Sequence, residues 1–376
     1  MHELPDDIAQ LSREAYAMPD GPTKVTILEE AIRIADSRND LDSAFVVRND
    51  LITAASNAGL PEVKVLAFSW CLSQFDSDRE RFGYYGTESE LLWKYKWVVG
   101  GLTSFPQITK VQIFEMLADM RRRYESVGST LHAVYDEERS ITMTIADDAA
   151  CKAAHKQLLK TPRDHFSNCS ACVQDRLVSH YKYFGKYEKA YDAAKPILEQ
   201  RMKCATVPHR TYGKIMWVLY KLDRLEEAMK LHRRGYPMIA TSPGHVTYVD
   251  DHIEFLVVTD NLTRAVRLTE KHFPVAFAST DPSTRYYFFK TVLLLMDCLR
   301  DTKTRTVKMH FASDHPLHDA KDRVSVGEFY AWLLAECRST AAAYDARNGN
   351  DAKMKSLNDL PNLKKEMKPF PFVNRG

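Results

Sequence analysis

The residues that decide the fold lie in the middle of the chain, in the stretch Tyr181-Lys-Tyr-Phe-Gly185-Lys-Tyr187-Glu-Lys-Ala190-Tyr-Asp-Ala-Ala194. Here a small residue, Gly185, ends one helical pattern, and an aromatic residue begins the next. The same frame returns as Leu219-Tyr-Lys-Leu-Asp223-Arg-Leu225-Glu-Glu-Ala228 and as Leu256-Val-Val-Thr-Asp260-Asn-Leu262-Thr-Arg-Ala265. The alanines at 190, 228 and 265 are 38 and 37 positions apart, which is close to the period of paired-helix repeats. This repeat frame predicts successive pairs of helices.

On both sides of the repeats, apolar residues recur at spacings of three and four, which places them on one face of a helix. Gly and Pro fall mostly between such segments. The segments predicted as helices include Lys24 to Ser37, Leu41 to Ala58, Glu88 to Val99, Gln107 to Tyr124, Asp147 to Leu159 and Val324 to Tyr344. No alternating pattern predicts strands. We expect the polar stretch from Leu299 to Asp322 to be an inserted loop, and the basic tail from Asn348 to be partly mobile.

The composition is that of a folded protein, with 45% hydrophobic and 27% charged residues. The N-terminal stretch lacks the charge and apolar run of a signal peptide, and no apolar run has the length of about 18 residues that a membrane span needs. We therefore expect a cytoplasmic protein without membrane contact. A formal net charge of only +2, without a long basic block, argues against a nucleic-acid partner. Seven cysteines are expected to be reduced thiols, some of which bind metal.

At the repeat frame the sequence resembles the tetratricopeptide repeat superfamily, which sets a Gly or Asp at the turn, an aromatic or Leu two positions later and an Ala three beyond. The resemblance covers Cys169 to Phe277, about a third of the chain. This chain departs from the family in its longer repeat and in Gln174, which stands where the family has a Trp. The block Asp164 to Cys172, with Cys204 to His209 and Arg233 to Tyr236, is also similar to bacterial tetratricopeptide proteins without an established activity.

The resemblance implies an all-α fold, a right-handed α-solenoid of antiparallel helix pairs that forms one elongated stack. We predict three regions in this stack. Residues 1–160 hold degenerate helical repeats, and residues 161–300 hold the clear repeats with a candidate metal site. Residues 301–376 hold the inserted loop, a terminal capping helix and the basic tail.

The resemblance also implies a binding surface, because the first helix of each pair lines the concave face of such a stack. The positions that it indicates are Lys182, Trp217, Tyr220, Lys221, Asp250 and Glu254. Aromatic rings beside mixed charges suit a peptide or a protein segment. The predicted function is therefore a protein- or peptide-binding scaffold or adaptor, and a peptide-sensing bacterial regulator is the alternative. Trp217 and Tyr220 as ordinary core residues remain an open interpretation.

The strongest chemical signal is the pair Cys169 and Cys172, followed after 31 residues by Cys204 and His209. Zinc prefers four soft or borderline ligands in a tetrahedral array, and paired ligands with short spacers are its commonest sequence mark. In the predicted fold all four residues lie at the same end of adjacent helix pairs. The sequence therefore predicts a zinc ion. With four protein ligands the site has no open position for water, so the expected role is structural.

An enzyme is not predicted, because phosphate-binding glycine loops, nucleophile elbows and the zinc-protease helix signature are absent from the sequence. The loop from His310 to Asp319 gathers three histidines and two aspartates, which keeps a metal-dependent hydrolase as a further alternative. The adjacent carboxylates Glu137 and Glu138 point in different directions from a helix. We expect both to be solvated surface residues.

Overall fold

The computed structural model describes residues 3–83 and 87–372, and these residues are almost entirely helical. The prediction of an all-α fold is confirmed. The chain divides into two compact units, unit 1 (Met1–Ser167) and unit 2 (Asn168–Gly376). Within the described residues, none of the helices combines the length and the apolar character needed to cross a bilayer. The division into the three predicted regions stays a prediction.

The helices of unit 1 are α1 (Asp6–Ala17), α2 (Pro22–Ser37), α3 (Leu41–Ala58), α4 (Pro61–Ser77), α5 (Arg79–Phe82), α6 (Thr87–Gly101), α7 (Lys110–Ser126), α8 (His132–Thr144) and α9 (Asp148–Leu158). A 3-10 turn, Leu102–Ser104, follows α6. Each of the first four helices packs against the next, and α6 packs against α4, α7 and α8. The apolar faces of these helices form the core of unit 1.

Local signals explain why the bounds of α3 agree with the prediction. The carboxylate of Asp40 accepts a hydrogen bond from the Ser43 N–H at 3.1 Å, which satisfies one of the free donors at the start of the helix. At the other end Gly59 has a φ of 72°, the left-handed conformation that commonly ends helices.

The elements of unit 2 are α10 (Ser170–Tyr183), α11 (Tyr187–Leu198), α12 (His209–Lys221), α13 (Leu225–Ile239), α14 (Val249–Val258), α15 (Leu262–Phe277), α16 (Pro282–Arg300), β1 (Thr306–Lys308), β2 (Arg323–Ser325), α17 (Val326–Asn348), α18 (Ala352–Asn358) and α19 (Leu360–Lys365). A 3-10 turn, Pro243–Tyr248, precedes α14. Consecutive helices pack together as α10 with α11, α12 with α13, α14 with α15 and α16 with α17. In addition α10 contacts α12, α12 contacts α14, and α14 contacts α16.

The repeat frame has one backbone conformation in all three copies. Gly185, Asp223 and Asp260 have φ values of 66°, 61° and 59°, in the left-handed region that Gly, Asn and Asp enter at least cost. The next helix begins two residues later each time. The alanines of the three frames, Ala190, Ala228 and Ala265, are fully buried where the paired helices meet. The frame therefore sets where one helix ends, where the next begins and which alanine is buried between the two.

Two features of the C-terminal region differ from the sequence expectation. The polar insertion carries a small antiparallel sheet, in which Val307 of β1 lies opposite Val324 of β2 and both side chains are buried. Strands of three residues are too short to show an alternating pattern. The tail, expected to be partly mobile, folds into α18 and α19 and packs on other helices of unit 2 as far as residue 372, and the rest of this prediction lies outside the described residues. The buried carboxylate of Asp345 starts this fold-back by accepting the N–H groups of Lys353 and Met354.

Candidate functional site

Three of the four predicted zinc ligands lie together in unit 2. Cys169 precedes α10, Cys172 lies in its first turn, and Cys204 lies between α11 and α12. All three sulfur atoms lie within 4.8 Å of one another, and the Cys172 and Cys204 sulfurs are 3.6 Å apart. Within residues 3–83 and 87–372 this is the one set of three or more Cys, His, Asp or Glu side chains that meets so closely. The structure thus shows a cluster that could hold a metal ion.

Cys172 and Cys204, the two half-buried thiols of the cluster, differ in acidity. Burial raises the pKa of Cys172 to about 12. Burial also acts to raise the pKa of Cys204, but hydrogen bonds from the main chain of Thr206 and from the Cys172 thiol lower it below its ordinary value. The two thiols form a hydrogen bond with their sulfur atoms 3.6 Å apart. A metal ion at this site would have to displace the protons of its thiol ligands, as thiolate-bound metals do.

One of the sulfur–sulfur distances is close to that of a tetrahedral thiolate site. A Zn–S bond of about 2.3 Å and a tetrahedral angle require sulfur atoms about 3.8 Å apart. The Cys172–Cys204 distance of 3.6 Å is close to this value. Cys169 is exposed at the start of α10 and holds a hydrogen bond of 3.4 Å from the Cys172 N–H.

His209 does not join this group. It is the first residue of α12, it is buried, and its ring faces the His245 ring at 4.9 Å. Burial, with the nearby His245 and Arg210, lowers the pKa of His209 to about 4, so the ring is neutral at ordinary pH. The chain thus brings three of the four predicted ligands together and places His209 outside this group, so a site with four protein ligands stays a prediction. A fourth metal position would fall to water or another group.

A buried carboxylate that sequence reasoning missed lies on α10, the helix whose first turn carries Cys172. Asp175 of α10 is fully buried and accepts a hydrogen bond of 2.7 Å from the Thr211 hydroxyl. It also forms ion pairs of 2.7 Å with Arg210 and with Lys214. Burial acts to raise the pKa of Asp175, but the charges of Lys214 and Arg210 outweigh it and lower the pKa to about 2. This network ties α10 to α12.

Of the six predicted partner-binding residues, three line one cavity. Trp217, Lys221 and Glu254, together with Lys290 of α16, surround a cavity of about 200 Å³, here called the Trp217 cavity. Its remaining wall comes from α18, α19 and the residue that follows them, through Ser356, Asp359, Leu360, Leu363 and Glu366. The Lys221 amine lies 2.8 Å from the Glu366 carboxylate. Aromatic surface and both signs of charge therefore meet around one opening.

The other three predicted residues have different surroundings. Lys182 pairs with Asp251 at 3.6 Å. Burial, with the neighbouring Asp251 and Glu254, raises the pKa of Asp250 well above its ordinary value, and one of its oxygens is buried without a hydrogen-bond partner. Tyr220 is only 1% exposed, and its hydroxyl donates to the Glu366 carbonyl at 2.6 Å. As a partner-binding residue Tyr220 is corrected to a core residue, because its ring offers no surface.

The loop from His310 to Asp319 does not assemble a metal site among the described residues. The His310 ring bonds to Asp322 at 2.9 Å, and the His318 ring bonds to the Phe311 carbonyl at 2.9 Å. His315 stacks on Phe311 with ring centres 4.2 Å apart. Each imidazole has its own partner within the insertion, so the geometry gives the hydrolase alternative no support.

No model of a known protein family matches this chain, and no curated protein is significantly similar to it in sequence.

Proposed function

We propose that unit 2 is a protein- or peptide-binding scaffold of the tetratricopeptide kind, stiffened at its first helix pair by a zinc ion on Cys169, Cys172 and Cys204. The observation that carries the proposal is the Trp217 cavity, where an aromatic ring lies among Lys221, Glu254 and Lys290. Rings contribute contact area in such interfaces, while paired charges set the register of a bound segment.

The arrangement of the helices supports the scaffold reading. The first helices of four consecutive pairs, α10, α12, α14 and α16, contact one another in series. This is the neighbour-to-neighbour packing of a repeat array. The repeat frame has the same turn conformation three times. A right-handed solenoid of antiparallel pairs is the architecture in which these contacts would recur.

Zinc is the metal that best suits the three sulfurs. Soft thiolate ligands select zinc, copper(I) and iron–sulfur clusters over magnesium and calcium, and the Cys172–Cys204 distance of 3.6 Å is close to that in a tetrahedral zinc site. When bound, the ion would supply a charge that holds three thiolates together. Because the thiols come from the start of α10 and from the segment before α12, it would join two successive helix pairs.

The scaffold is tested through a partner isolated from the native cell. Once it is identified, Trp217→Ala and Lys290→Ala should each weaken its Kd by about tenfold or more, since a central aromatic or charged contact contributes about 1–2 kcal/mol or more. Lys230→Ala is the matched control, because this exposed lysine of α13 pairs only with Glu226 at 3.4 Å.

The melting temperature of each variant separates lost binding from lost folding. Unchanged partner affinity in correctly folded Trp217→Ala and Lys290→Ala chains would refute the assignment of this cavity. A peptide-sensing regulator, the second possibility, additionally requires that the peptide change the hydrodynamic size of the chain.

A further inference from the structure

The chain already holds one of its own segments as an extended peptide. Residues 366–372, Glu-Met-Lys-Pro-Phe-Pro-Phe, are here called the docked segment. The N–H of Lys368 donates to the Val258 carbonyl at 2.9 Å, and the N–H of Phe370 donates to the Thr259 carbonyl at 3.0 Å. These two carbonyls belong to the C-terminal end of α14, where helices lack internal partners for their last C=O groups. The carbonyl groups at the end of α14 can therefore accept hydrogen bonds from the N–H groups of an extended chain.

Hydrogen bonding alternates along the docked segment in step with its prolines. Phe372 donates its N–H to the Asn261 side chain at 2.9 Å, and the same side chain donates to the Phe370 carbonyl at 2.9 Å. The N–H groups of residues 368, 370 and 372 are therefore all bonded, and residues 369 and 371 are prolines, which have no N–H. The rigid prolines also lower the conformational entropy lost on binding. Every backbone N–H of residues 368–372 therefore has an acceptor.

Lys368 adds a charged contact at the end of a second helix. Its amine donates to the Tyr220 carbonyl at 3.1 Å and to the Asp223 carboxylate at 2.9 Å. Tyr220 lies in the last turn of α12, where the helix dipole favours a positive charge. A lysine two residues before the first phenylalanine is therefore part of what this surface recognises.

The ring of Phe372 enters a pocket between α13 and α15, here called the Phe372 pocket. The guanidinium groups of Arg264 and Arg233 lie 3.8 and 4.7 Å from the ring centre, which are cation–π distances. The buried His232 ring meets it edge-on at 5.8 Å. The pocket keeps a cavity of about 270 Å³, lined also by Tyr236, Pro237, Leu256, Arg267 and Leu268. Its shape and charge select an aromatic ring.

We propose that the ends of α12 and α14 and the Phe372 pocket form a recognition site for extended peptides of the type Lys-Pro-Phe-Pro-Phe. The docked segment fills this site in cis, and a partner protein with a segment of the same chemistry displaces it. This inference rests on the proposed peptide-binding function and deepens it, because it names the peptide class. The docked segment shares Glu366 with the wall of the Trp217 cavity, whereas Phe372 and Asn261 do not line that cavity, so substitutions at these two residues test the peptide site separately.

Competition from the docked segment of the same chain sets the expected change in affinity for a free peptide. A tethered segment has an effective concentration of about 1 mM. For an intrinsic Kd of about 10 μM, the segment would occupy its own site about 99% of the time, and a free peptide would bind about 100-fold more weakly than to an empty site. Weakening the docked segment should therefore strengthen binding in trans.

The test uses a fluorescent peptide with the sequence of residues 366–372 and measures anisotropy on the full chain. Phe372→Ala should bind this peptide at least tenfold more tightly than the unmodified chain, because the cis competitor has lost its ring. Adding Asn261→Ala to Phe372→Ala should remove most of that gain. Lys365→Ala is the matched control, since this exposed residue of α19 lies just before the docked segment and should leave affinity unchanged.

Three results would overturn the proposal. The first is equal peptide affinity for the unmodified and Phe372→Ala chains when both melt alike. The second is undiminished binding of a peptide that lacks the last phenylalanine. The third is a concentration-dependent dimer of the unmodified chain that Phe372→Ala abolishes, which would assign the site to a second copy. Failure here with partner binding still sensitive to Trp217→Ala would leave the proposed function standing.

Discussion

At the scale of single residues, the acidity of Cys204 and the isolation of His209 decide how a metal would bind. Hydrogen bonds lower the pKa of the Cys204 thiol, whereas the His209 ring lies beside the His245 ring. Thiolates from the start of α10 and from the segment after α11 would converge on the ion. The three sulfurs, and not the four ligands that the spacing indicated, are the set to test.

The first residue-scale prediction concerns metal content. Protein purified without chelator or metal-affinity tag should carry about one zinc per chain. Cys172→Ser and Cys204→Ser should each weaken zinc binding by more than about 100-fold, because losing a direct ligand costs more than losing its hydrogen-bonding support. His209→Gln should keep the metal. Elemental analysis and a competition titration with a chromophoric chelator measure both quantities.

Cys71→Ala supplies the control, because it removes a fully buried thiol of unit 1 that is absent from the cluster. Zinc retained by Cys172→Ser, or lost from His209→Gln, would contradict the three-thiolate assignment.

Two buried acids show what residue-level sequence reasoning could and could not find. Glu137, expected on the surface, is 1% exposed and faces Gly100, where a Cβ would lie 2.8 Å from its carboxylate. It stands four residues after Ala133 and four before Ile141, both buried. Adjacency to Glu138 does not decide whether Glu137 is buried, whereas its spacing of four residues from buried neighbours does. Asp175 carries the same signal, four residues after the buried Ala171.

At the scale of elements, the close approach of α12 and α14 depends on Gly213. A Cβ at this position would lie 2.5 Å from the Asp251 carboxylate and 2.8 Å from the Asp251 Cβ. The second atom is fixed by the backbone of α14, so it cannot move aside without moving the helix. The missing side chain therefore sets the distance between two helices that bound the Trp217 cavity.

Gly213→Ala should lower the free energy of unfolding by about 1–2 kcal/mol, measured by urea denaturation. Alanine favours a helix by about 1 kcal/mol over glycine, but overpacking a buried contact costs about 1–3 kcal/mol. At Gly327 in α17 the nearest atom would lie 3.9 Å from an added Cβ. Gly327→Ala should therefore change the stability by less than about 0.5 kcal/mol or increase it. A stabilised Gly213→Ala chain would show that the helices can separate freely.

Elements whose signals are local were the predictable ones. The turn residues and buried alanines of the repeat frame act within a few positions, so the sequence indicates where α11, α13 and α15 begin. The docked segment has no such local signal, because its partners Val258 and Asn261 lie more than a hundred positions earlier. The sequence therefore indicated a basic tail, but not the surface that binds it.

At the scale of the whole molecule, stability should depend on pH through buried histidines of unit 2. His232 and His252 lie with ring nitrogens 3.1 Å apart, and His272 bonds to Tyr236 at 3.0 Å. Burial lowers the pKa of His252 to about 3 and of His272 to about 4, and lowers that of His232 well below its ordinary value. These side chains are at most 6% exposed. In the folded protein they stay neutral.

Because an unfolded histidine has a pKa of about 6.5, the unfolded state binds more protons below that pH. The stabilisation is complete above pH 6.5 and is lost as the pH falls toward 4. Each such histidine changes the free energy of unfolding by up to about 1.4 kcal/mol per pH unit. Urea denaturation between pH 7 and pH 5, with chelator present to exclude metal effects, should show a loss of about 2 kcal/mol or more.

His272→Gln should reduce this pH slope, since glutamine retains a partner for the Tyr236 hydroxyl without titrating. His310→Gln should leave the slope as it is, because the His310 side chain is 71% exposed. A pH-independent stability in this range would mean that the histidine cluster opens to water.

The pairing of Val307 with Val324 affects how readily the number of residues in the insertion can change. By pairing β1 with β2, the insertion joins its own two ends, so the residues between the strands form a closed loop that begins and ends at one place. Lengthening such a loop costs little, because closure entropy grows only with the logarithm of its length. The start of α17 is fixed by the sheet and not by the loop. Apart from the buried Met309 and Phe311, the stretch between the strands is therefore a position where evolution can add residues without shifting the helices on either side.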